Sequence, residues 1–157
     1  MDDQTEWLTV PEQQAWLALA KVLVRLDAAL DVRLRRDAGI SHFDYIVLAA
    51  LSSAPERTMR MSDLAARAEG SLPRLSQVVS RLERKGWVAR TPDPANGRYT
   101  LAILTDEGFA KLAAAAPDHV RAVRTLVFDS LSPTQVKQLA VIGERIAGAI
   151  ESAPADT

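Results

Sequence analysis

Apolar residues recur every three or four positions in the first quarter of the chain, which is the spacing of one face of an α-helix. Charged residues fall largely outside this face, which is formed by Leu19, Leu23, Leu26, Leu30 and Leu34. Pro11 suits the first helical turn, where its missing N–H costs little, and Gly39 suits a left-handed helix end. The pattern predicts a long amphipathic helix over residues 11–37.

Three shorter helices are predicted between residues 40 and 85. Ser41 resembles an N-cap with Asp44 three residues on, and Ser62 resembles the N-cap of a third helix. Residues 58–61 between them fit a very short strand. Gly70 and Ser71 form a tight turn before a fourth helix over residues 72–85, whose inner face consists of Leu75, Val78, Val79 and Leu82.

The periodicity changes from helical to strand-like after Gly86. Residues 87–91 and 99–104 resemble strands, and residues 92–97 lie between them. Asn96-Gly97 is the strongest short-range turn signal, so the sequence predicts a β-hairpin with a tip of several residues.

Helical spacing returns after Thr105, a plausible N-cap for the next helix. Pro117 is expected to kink or divide that helix, and Ser132 to Gln135 resembles a capping box. Residues 117–151 are therefore predicted to form a helical C-terminal region, in a chain that is mainly α with a small β-hairpin.

Residues 40–108 follow the plan of a winged helix-turn-helix: helix, helix, Gly-containing turn, helix and hairpin. In such units the second helix of the pair enters the DNA major groove, which assigns residues 72–85 as recognition helix and residues 87–104 as wing. Arg, Gln and Ser on its outer face can bond base edges or phosphates. The predicted DNA-binding residues are Ser62, Arg74, Ser76, Gln77, Ser80, Arg81, Asn96 and Arg98.

The charge distribution supports this assignment. Residues 57–98 contain nine basic and four acidic residues, a net charge of +5, whereas the whole chain has −1 and the remainder therefore −6. A basic middle between acidic flanks indicates one surface suited to an anion. The alternative is a solvated helix face, or a winged helix that contacts a protein rather than DNA.

Several other classes of protein fit the sequence poorly. The chain has no cysteine and two histidines, so disulfides and thiolate metal sites are excluded, and His42 with Asp44 is spaced wrongly for shared metal ligation. No P-loop, GxSxG or HExxH pattern occurs, so we expect neither an enzyme nor a cofactor. No apolar run approaches the ~18 residues of a membrane span, and the acidic N-terminus lacks signal-peptide character, which predicts a cytoplasmic protein.

The middle of the chain resembles the MarR family of bacterial transcriptional regulators. That family shows LA, S, RL, a GWV- or GLV-type segment, R, a DP-x-(D/N)-GR wing and LT-x-x-G in this order. The matching residues here are Leu64, Ala65, Ser76, Arg81, Leu82, Gly86, Trp87, Val88, Arg90, Asp93, Pro94, Asn96, Gly97, Arg98, Leu104, Thr105 and Gly108.

This resemblance implies a repressor with dimerisation helices at both ends, over residues 11–37 and 117–151 of one unit spanning 1–157. It implies that Asp93 steers the wing arginine, Arg98, rather than touching DNA. It further implies release from DNA by a small phenolic or aromatic effector. The candidate effector pocket is lined by Trp16, Ala20, Arg36, His42, Tyr45 and Ile46.

The apolar stripes of the terminal helices point independently to a homodimer. A small winged domain cannot bury them all, and monomers rarely leave large apolar patches exposed. A twofold dimer would present two recognition helices about 34–36 Å apart and would require a pseudo-palindromic site. The alternative is that these helices only cap their own domain.

Overall fold

The computed structural model describes residues 6–153 of the chain. Residues 1–5, to which the signal-peptide expectation refers, and residues 154–157 lie outside this range. The elements in chain order are α1 (Val10–Ala38), α2 (His42–Ser52), β1 (Thr58–Arg60), α3 (Met61–Arg67), α4 (Leu72–Arg84), β2 (Val88–Asp93), β3 (Asn96–Leu104), α5 (Asp106–Val123) and α6 (Pro133–Ser152). The predicted class, mainly α with a β-hairpin wing, is confirmed.

The chain is divided into two compact units, of which the first ends at His119 and the second begins at Val120. The first contains a core formed by the inner faces of α2, α3 and α4 together with the sheet. The apolar spacing along α4 explains how this helix joins the core, since every residue of its predicted inner face is buried. Fully buried leucines in this core are Leu48, Leu51, Leu64, Leu75 and Leu82. This packing leaves the opposite face of α4 in solvent.

Local capping fixes the corner between α1 and α2. Helix α1 ends at Gly39, whose φ of 66° is the left-handed conformation that glycine adopts without strain. Ser41 and Asp44 then form the predicted capping box of α2, with each side chain bonded to the other residue's backbone N–H. The corner therefore has little freedom, and it sets where α2 begins.

The three strands form an antiparallel sheet in the order β1-β3-β2. The predicted hairpin is present, but its tip is shorter than expected, since only residues 94 and 95 separate β2 from β3. Asn96 and Gly97 begin β3 rather than forming the turn. The Asp93 carboxylate accepts a hydrogen bond from the Ala95 backbone N–H at 2.9 Å, and this local bond closes the turn two residues earlier than predicted.

Ser62 is not the N-cap of α3, contrary to the sequence prediction. Strand β1 passes directly into the helix, so Arg60 occupies the N-cap position without a capping side-chain bond. Ser62 lies instead in the first helical turn, where its hydroxyl donates to Asp63 at 3.3 Å. Its side chain is exposed.

Pro117, which was expected to kink or divide the helix, does not divide it. Helix α5 continues through Pro117 to Val123, then passes into a single π-helical turn over Arg124–Phe128 before α6. A proline removes one backbone donor, and the remaining hydrogen bonds on either side evidently suffice to hold the helix. The capping box predicted at Ser132 and Gln135 is confirmed. Between residues 6 and 153, no helix is both long and apolar enough to cross a membrane.

Candidate nucleic-acid interface

Helix α4 has one buried and one polar face. Ser71 caps it by accepting a hydrogen bond from the Arg74 N–H at 3.4 Å, and Pro73 lies in its first turn. Arg74 and Gln77 are exposed, and Ser76 and Ser80 are partly exposed. These four predicted contacts on α4 are therefore accessible to a ligand.

An open groove runs between α3, α4 and the wing. It brings together three residues that the sequence placed in the DNA-binding set: Ser62 of α3, Ser76 of α4 and Arg98 of β3. The groove is lined by Arg60, Met61, Ser62, Leu72, Ser76, Arg90, Arg98, Tyr99 and Thr100. Residues separated by 36 positions in the chain thus share one surface that carries hydroxyl and arginine side chains.

A second, shallower groove continues this surface along α4. Ser76 borders both grooves, and the second is lined by Ser76, Gln77, Ser80, Glu83, Arg84 and Arg90. Arg84 and Arg98 form no ion pair with any residue between 6 and 153. Their charges are thus available to an external anion.

Asp93 supports the wing, but not through Arg98 as predicted. Its carboxylate pairs with Arg60, 3.0 Å from Nε and 2.9 Å from Nη2. The hydrogen bond from the Ala95 N–H, assisted by Arg60, holds the pKa of Asp93 below its ordinary value. Arg98 is left with its side chain in solvent, and its backbone N–H donates to Asn96 Oδ1 at 3.2 Å.

Arg81 has an intramolecular partner that the sequence did not predict. Its guanidinium is bonded to the buried carboxylate of Asp44 in α2, whereas the sequence assigned it to DNA. Arg90 is held in a similar way, with Nη2 2.7 Å from Glu83 Oε2, and this hydrogen bond is the main cause of a lowered pKa for Glu83. Two arginines on or beside α4 are therefore restrained by neighbouring carboxylates.

Sequence analysis missed Arg60, Arg90 and Tyr99 as parts of the interface. Arg60 was counted only in the basic segment, and Arg90 appeared there and as a position of the family motif. Tyr99 carries no local signal, but its ring lies 4.5 Å from the guanidinium carbon of Arg60. The strand register that places these side chains beside α3 is a long-range feature.

The predicted effector pocket is only partly assembled. His42 and Tyr45 meet at His119, with ring centroids 5.6 and 4.1 Å from it, and burial raises the pKa of the Tyr45 hydroxyl. His42 Nδ1 also lies 2.7 Å from Asp27 Oδ1.

The other predicted pocket residues lie elsewhere. At 1.5 Å per residue, Trp16 is about 16 Å and Ala20 about 10 Å along α1 from Asp27, which marks the His42 contact. Arg36 pairs with Asp37, at 2.6 Å from Nε to Oδ1, and Ile46 packs against the core. The described part of one chain therefore does not bring all six residues together, and the effector pocket stays a prediction. In the described part of the chain, no three His, Asp or Glu side chains are grouped as metal ligands would be.

Comparison with known proteins places these features in context. The model of the MarR family matches residues 38–98. The fold is similar to that of Sco3205, a MarR family transcriptional regulator from Streptomyces coelicolor solved in complex with DNA, with 42% identity, a TM-score of 0.91 and coverage of 99% of this chain and 97% of that one.

Two further proteins are similar to this chain over different lengths. AbsC, a MarR family transcriptional regulator from Streptomyces coelicolor, has 34% identity and a TM-score of 0.87, with 95% of this chain and 100% of that chain covered. The uncharacterized HTH-type transcriptional regulator YdcH of Bacillus subtilis is 30% identical over 80 residues, which cover 50% of this chain. That match spans only about half, 54%, of the length of YdcH.

Proposed function

The chain belongs to the MarR family of DNA-binding transcriptional regulators, and we propose that it represses genes as a homodimer bound to a pseudo-palindromic operator. The family consists of transcriptional regulators rather than enzymes. We place its action in the cytoplasm, where the operator would be accessible.

The groove between α3, α4 and the wing is the observation that carries this proposal. Ser62, Ser76 and Arg98 line it together. Hydroxyl and guanidinium donors are the groups that bond phosphate oxygens and position a protein on a duplex. An arginine at a wing is also suited to the minor groove, where the negative potential is enhanced. This surface therefore fits the backbone of double-stranded DNA.

Base recognition is assigned to the first half of α4. Arg74 and Gln77 are exposed on that part of the helix, and these side chains can bond guanine and adenine edges, respectively, in a bidentate manner. Ser80 lies one turn beyond Ser76 and extends the contact. Asn96 at the start of β3 would add to the wing contact of Arg98.

Unburied apolar helices support the homodimer. In the first unit, Trp16, Leu17 and Leu23 of α1 are 54%, 60% and 62% exposed. In the second unit, α6 has no buried residue, and its exposed apolar residues are Leu139, Val141, Ile142, Ile146 and Ile150. A second copy of the chain is the simplest cover for such surfaces, since closed twofold dimers are the commonest assemblies.

A small phenolic or aromatic effector remains part of the proposal. Its support within this chain is the ring cluster of His42, Tyr45 and His119 at the junction of α1, α2 and α5. A flat aromatic ligand could stack on these rings. Binding would be detected as a rise in melting temperature that depends on ligand concentration.

Fluorescence anisotropy with duplexes from the DNA upstream of the coding region tests the proposal. Wild type should bind one duplex tightly, with affinity that falls as salt rises because phosphate binding releases counterions. Arg98→Glu should lose this binding. Arg67→Glu makes the same charge change in the same basic segment but outside both grooves, and it should retain most of it.

The opposite result is equally clear. If wild type binds no duplex even at low salt, the winged helix is a protein-contact module and the proposal is wrong. If Arg67→Glu and Arg98→Glu weaken binding equally, the wing has no specific role and only the overall charge matters.

A further inference from the structure

One carboxylate joins the recognition helix to the preceding helix of the first unit. Oδ1 of Asp44, in the first turn of α2, accepts a hydrogen bond from Arg81 Nη2 in the third turn of α4. Oδ2 of the same carboxylate accepts the Ser41 backbone N–H at 3.0 Å. The two oxygens are thus divided between a local cap and a contact 37 residues away in sequence.

Asp44 is held firmly enough to act as an anchor. Only 3% of the residue is exposed, and its own N–H donates to Ser41 Oγ at 3.0 Å. The adjacent His42 N–H donates to Asp31 Oδ1 of α1 at 2.8 Å. The carboxylate therefore belongs to the rigid corner between α1 and α2 rather than to a mobile surface.

The helical spacing shows what this anchor would control. Gln77 lies four residues before Arg81, and Arg74 lies seven before it, so the three share one side of α4. All three border a polar cleft beside the α1–α2 corner. A restraint on Arg81 therefore restrains the rotation of α4 about its axis, and with it the direction of the side chains that would meet base edges.

We propose that Asp44 is a positioning residue that fixes the rotation of α4 through Arg81 and so sets sequence discrimination. This inference rests on the proposed function, because it concerns how the DNA-binding helix is presented. General attraction to DNA depends on phosphates and is insensitive to a small rotation, whereas base contacts require close geometry. The pair should therefore affect specific binding far more than non-specific binding.

Asp44→Asn separates this role from a direct contact of Arg81 with DNA. The amide can still accept the Ser41 N–H, but the ion pair is lost and Arg81 is released. If Arg81 bound DNA, its release would tighten binding. If Asp44 positions α4, the ratio of operator to non-specific affinity should fall roughly 5- to 150-fold, the effect of misplacing one bidentate base contact.

Asp106→Asn is the matched control. Asp106 pairs with Arg57 at 3.0 Å, and its side chain is 98% exposed, so the substitution makes the same charge change and also releases an arginine. It should leave the affinity ratio unchanged. Measurement at a temperature well below each melting transition, with non-specific binding as the check of folded protein, separates discrimination from unfolding.

Arg81→Gln and the double variant complete a thermodynamic cycle. Arg81→Gln alone leaves a buried carboxylate without its partner, and it should lower the affinity ratio as Asp44→Asn does. With both substitutions, two neutral amides can bond each other across the same gap. The double variant should therefore recover part of the ratio that each single variant loses.

Two outcomes overturn the inference while leaving DNA binding intact. Equal or tighter operator binding by Asp44→Asn shows that Arg81 exchanges its carboxylate for DNA. A double variant whose loss in affinity ratio equals the sum of the two single losses, in free energy, shows that Asp44 and Arg81 act independently of each other. Failure of wild type to bind any duplex is a different result, and it overturns the proposed function itself.

Discussion

Arg60 and Asp93 form an ion pair that reaches over the central strand of the sheet, with Arg60 Nη2 2.9 Å from Asp93 Oδ2. Arg60 belongs to β1 and Asp93 to β2, and β3 lies between these strands. Arg60 is also the N-cap of α3, so the pair ties the base of the helix-turn-helix to the tip of the wing. The position of the wing is therefore determined from α3 rather than by the hairpin alone.

Asp93→Asn should weaken operator binding. The amide oxygen can still close the turn on the Ala95 N–H, but Arg60 loses its charged partner and the wing loses its tie to α3. The added positive charge alone would strengthen attraction to DNA, so the expected decrease cannot result from net charge. Anisotropy titrations with the operator measure it.

Asp63→Asn is the control for that prediction because it makes the same charge change in the same basic segment. Asp63 accepts a hydrogen bond from the neighbouring Ser62 hydroxyl at 3.3 Å and, within residues 6–153, forms no ion pair with the wing. If both variants change the operator affinity in the same direction and by similar amounts, Arg60 and Asp93 do not position the wing.

Gly108→Ala should destabilise the first unit. A Cβ at this position would lie 2.7 Å from Leu104 Cδ1 and closer still to the Trp87 carbonyl oxygen. The backbone cannot yield as a flexible side chain would, so overpacking should lower the free energy of unfolding by about 1–3 kcal/mol. Chemical denaturation followed by tryptophan fluorescence and circular dichroism measures the loss.

Gly97→Ala provides the comparison for Gly108→Ala. A Cβ at Gly97 meets no atom within 4 Å, and alanine is favoured over glycine within a strand by roughly 0.5–1 kcal/mol. This variant should be at least as stable as wild type. Equal destabilisation by both substitutions would show that close approach of Trp87 is not why glycine occupies position 108.

Features with local causes could be predicted from the sequence. The capping boxes at Ser41 and Ser132 depend on residues three apart, and the buried face of α4 depends on a spacing repeated within one helix. Both were found as predicted. In the sequence, Gly108 was recognised only as a position of the family motif. The reason that this position requires glycine is the close approach of the Trp87 backbone, which only the structure shows.

Features determined by distant partners could not be predicted. Arg81 pairs with Asp44, which lies 37 residues away in sequence, and Arg60 pairs with Asp93, which lies 33 residues away. Side-chain type indicated cations suited to DNA but gave no information on which carboxylate lies nearby after folding. The family pattern correctly placed an acidic residue, Asp93, in the wing. Its partner is Arg60 and not Arg98, because the strand order brings β1 close to it.

Protonation of His119 should make the first unit less stable in mild acid. Burial, and secondarily the nearby His42, lowers the pKa of the His119 imidazole below its ordinary value of 6.5. The unfolded chain therefore takes up this proton first as pH falls. The stability from the neutral ring is complete above about pH 6.5 and is lost as pH falls toward the folded-state pKa. Thermal melts between pH 7.5 and 5.5 should show the decline.

His119→Phe tests the assignment because it keeps a ring beside Tyr45 but cannot titrate. Its melting temperature should vary less with pH over this interval than that of wild type. An identical pH profile for the two proteins would mean that His119 titrates alike in the folded and unfolded states.

Ile142→Glu should weaken the homodimer. Ile142 is 53% exposed on α6 and forms one stripe with Leu139, Ile146 and Ile150. A carboxylate placed within an apolar interface would lose its hydration. The dissociation constant of the dimer should therefore rise on the order of 30-fold or more, as it does when a central interface residue is lost. Sedimentation over a concentration series measures the dissociation constant, and the same variant should lose operator affinity because a monomer engages one half-site.

Ala140→Glu separates a buried stripe from a general effect of charge on α6. Ala140 is exposed, and helical spacing puts it outside the stripe of Ile142. The substitution adds the same charge to the same helix and should leave the dimer intact. Equal dissociation of both variants would mean that α6 responds to charge alone, and a wild-type protein that sediments as a monomer at all concentrations would refute the homodimer. A dimer retained by Ile142→Glu would instead leave the exposed apolar residues of α1 as the surface that joins the two copies.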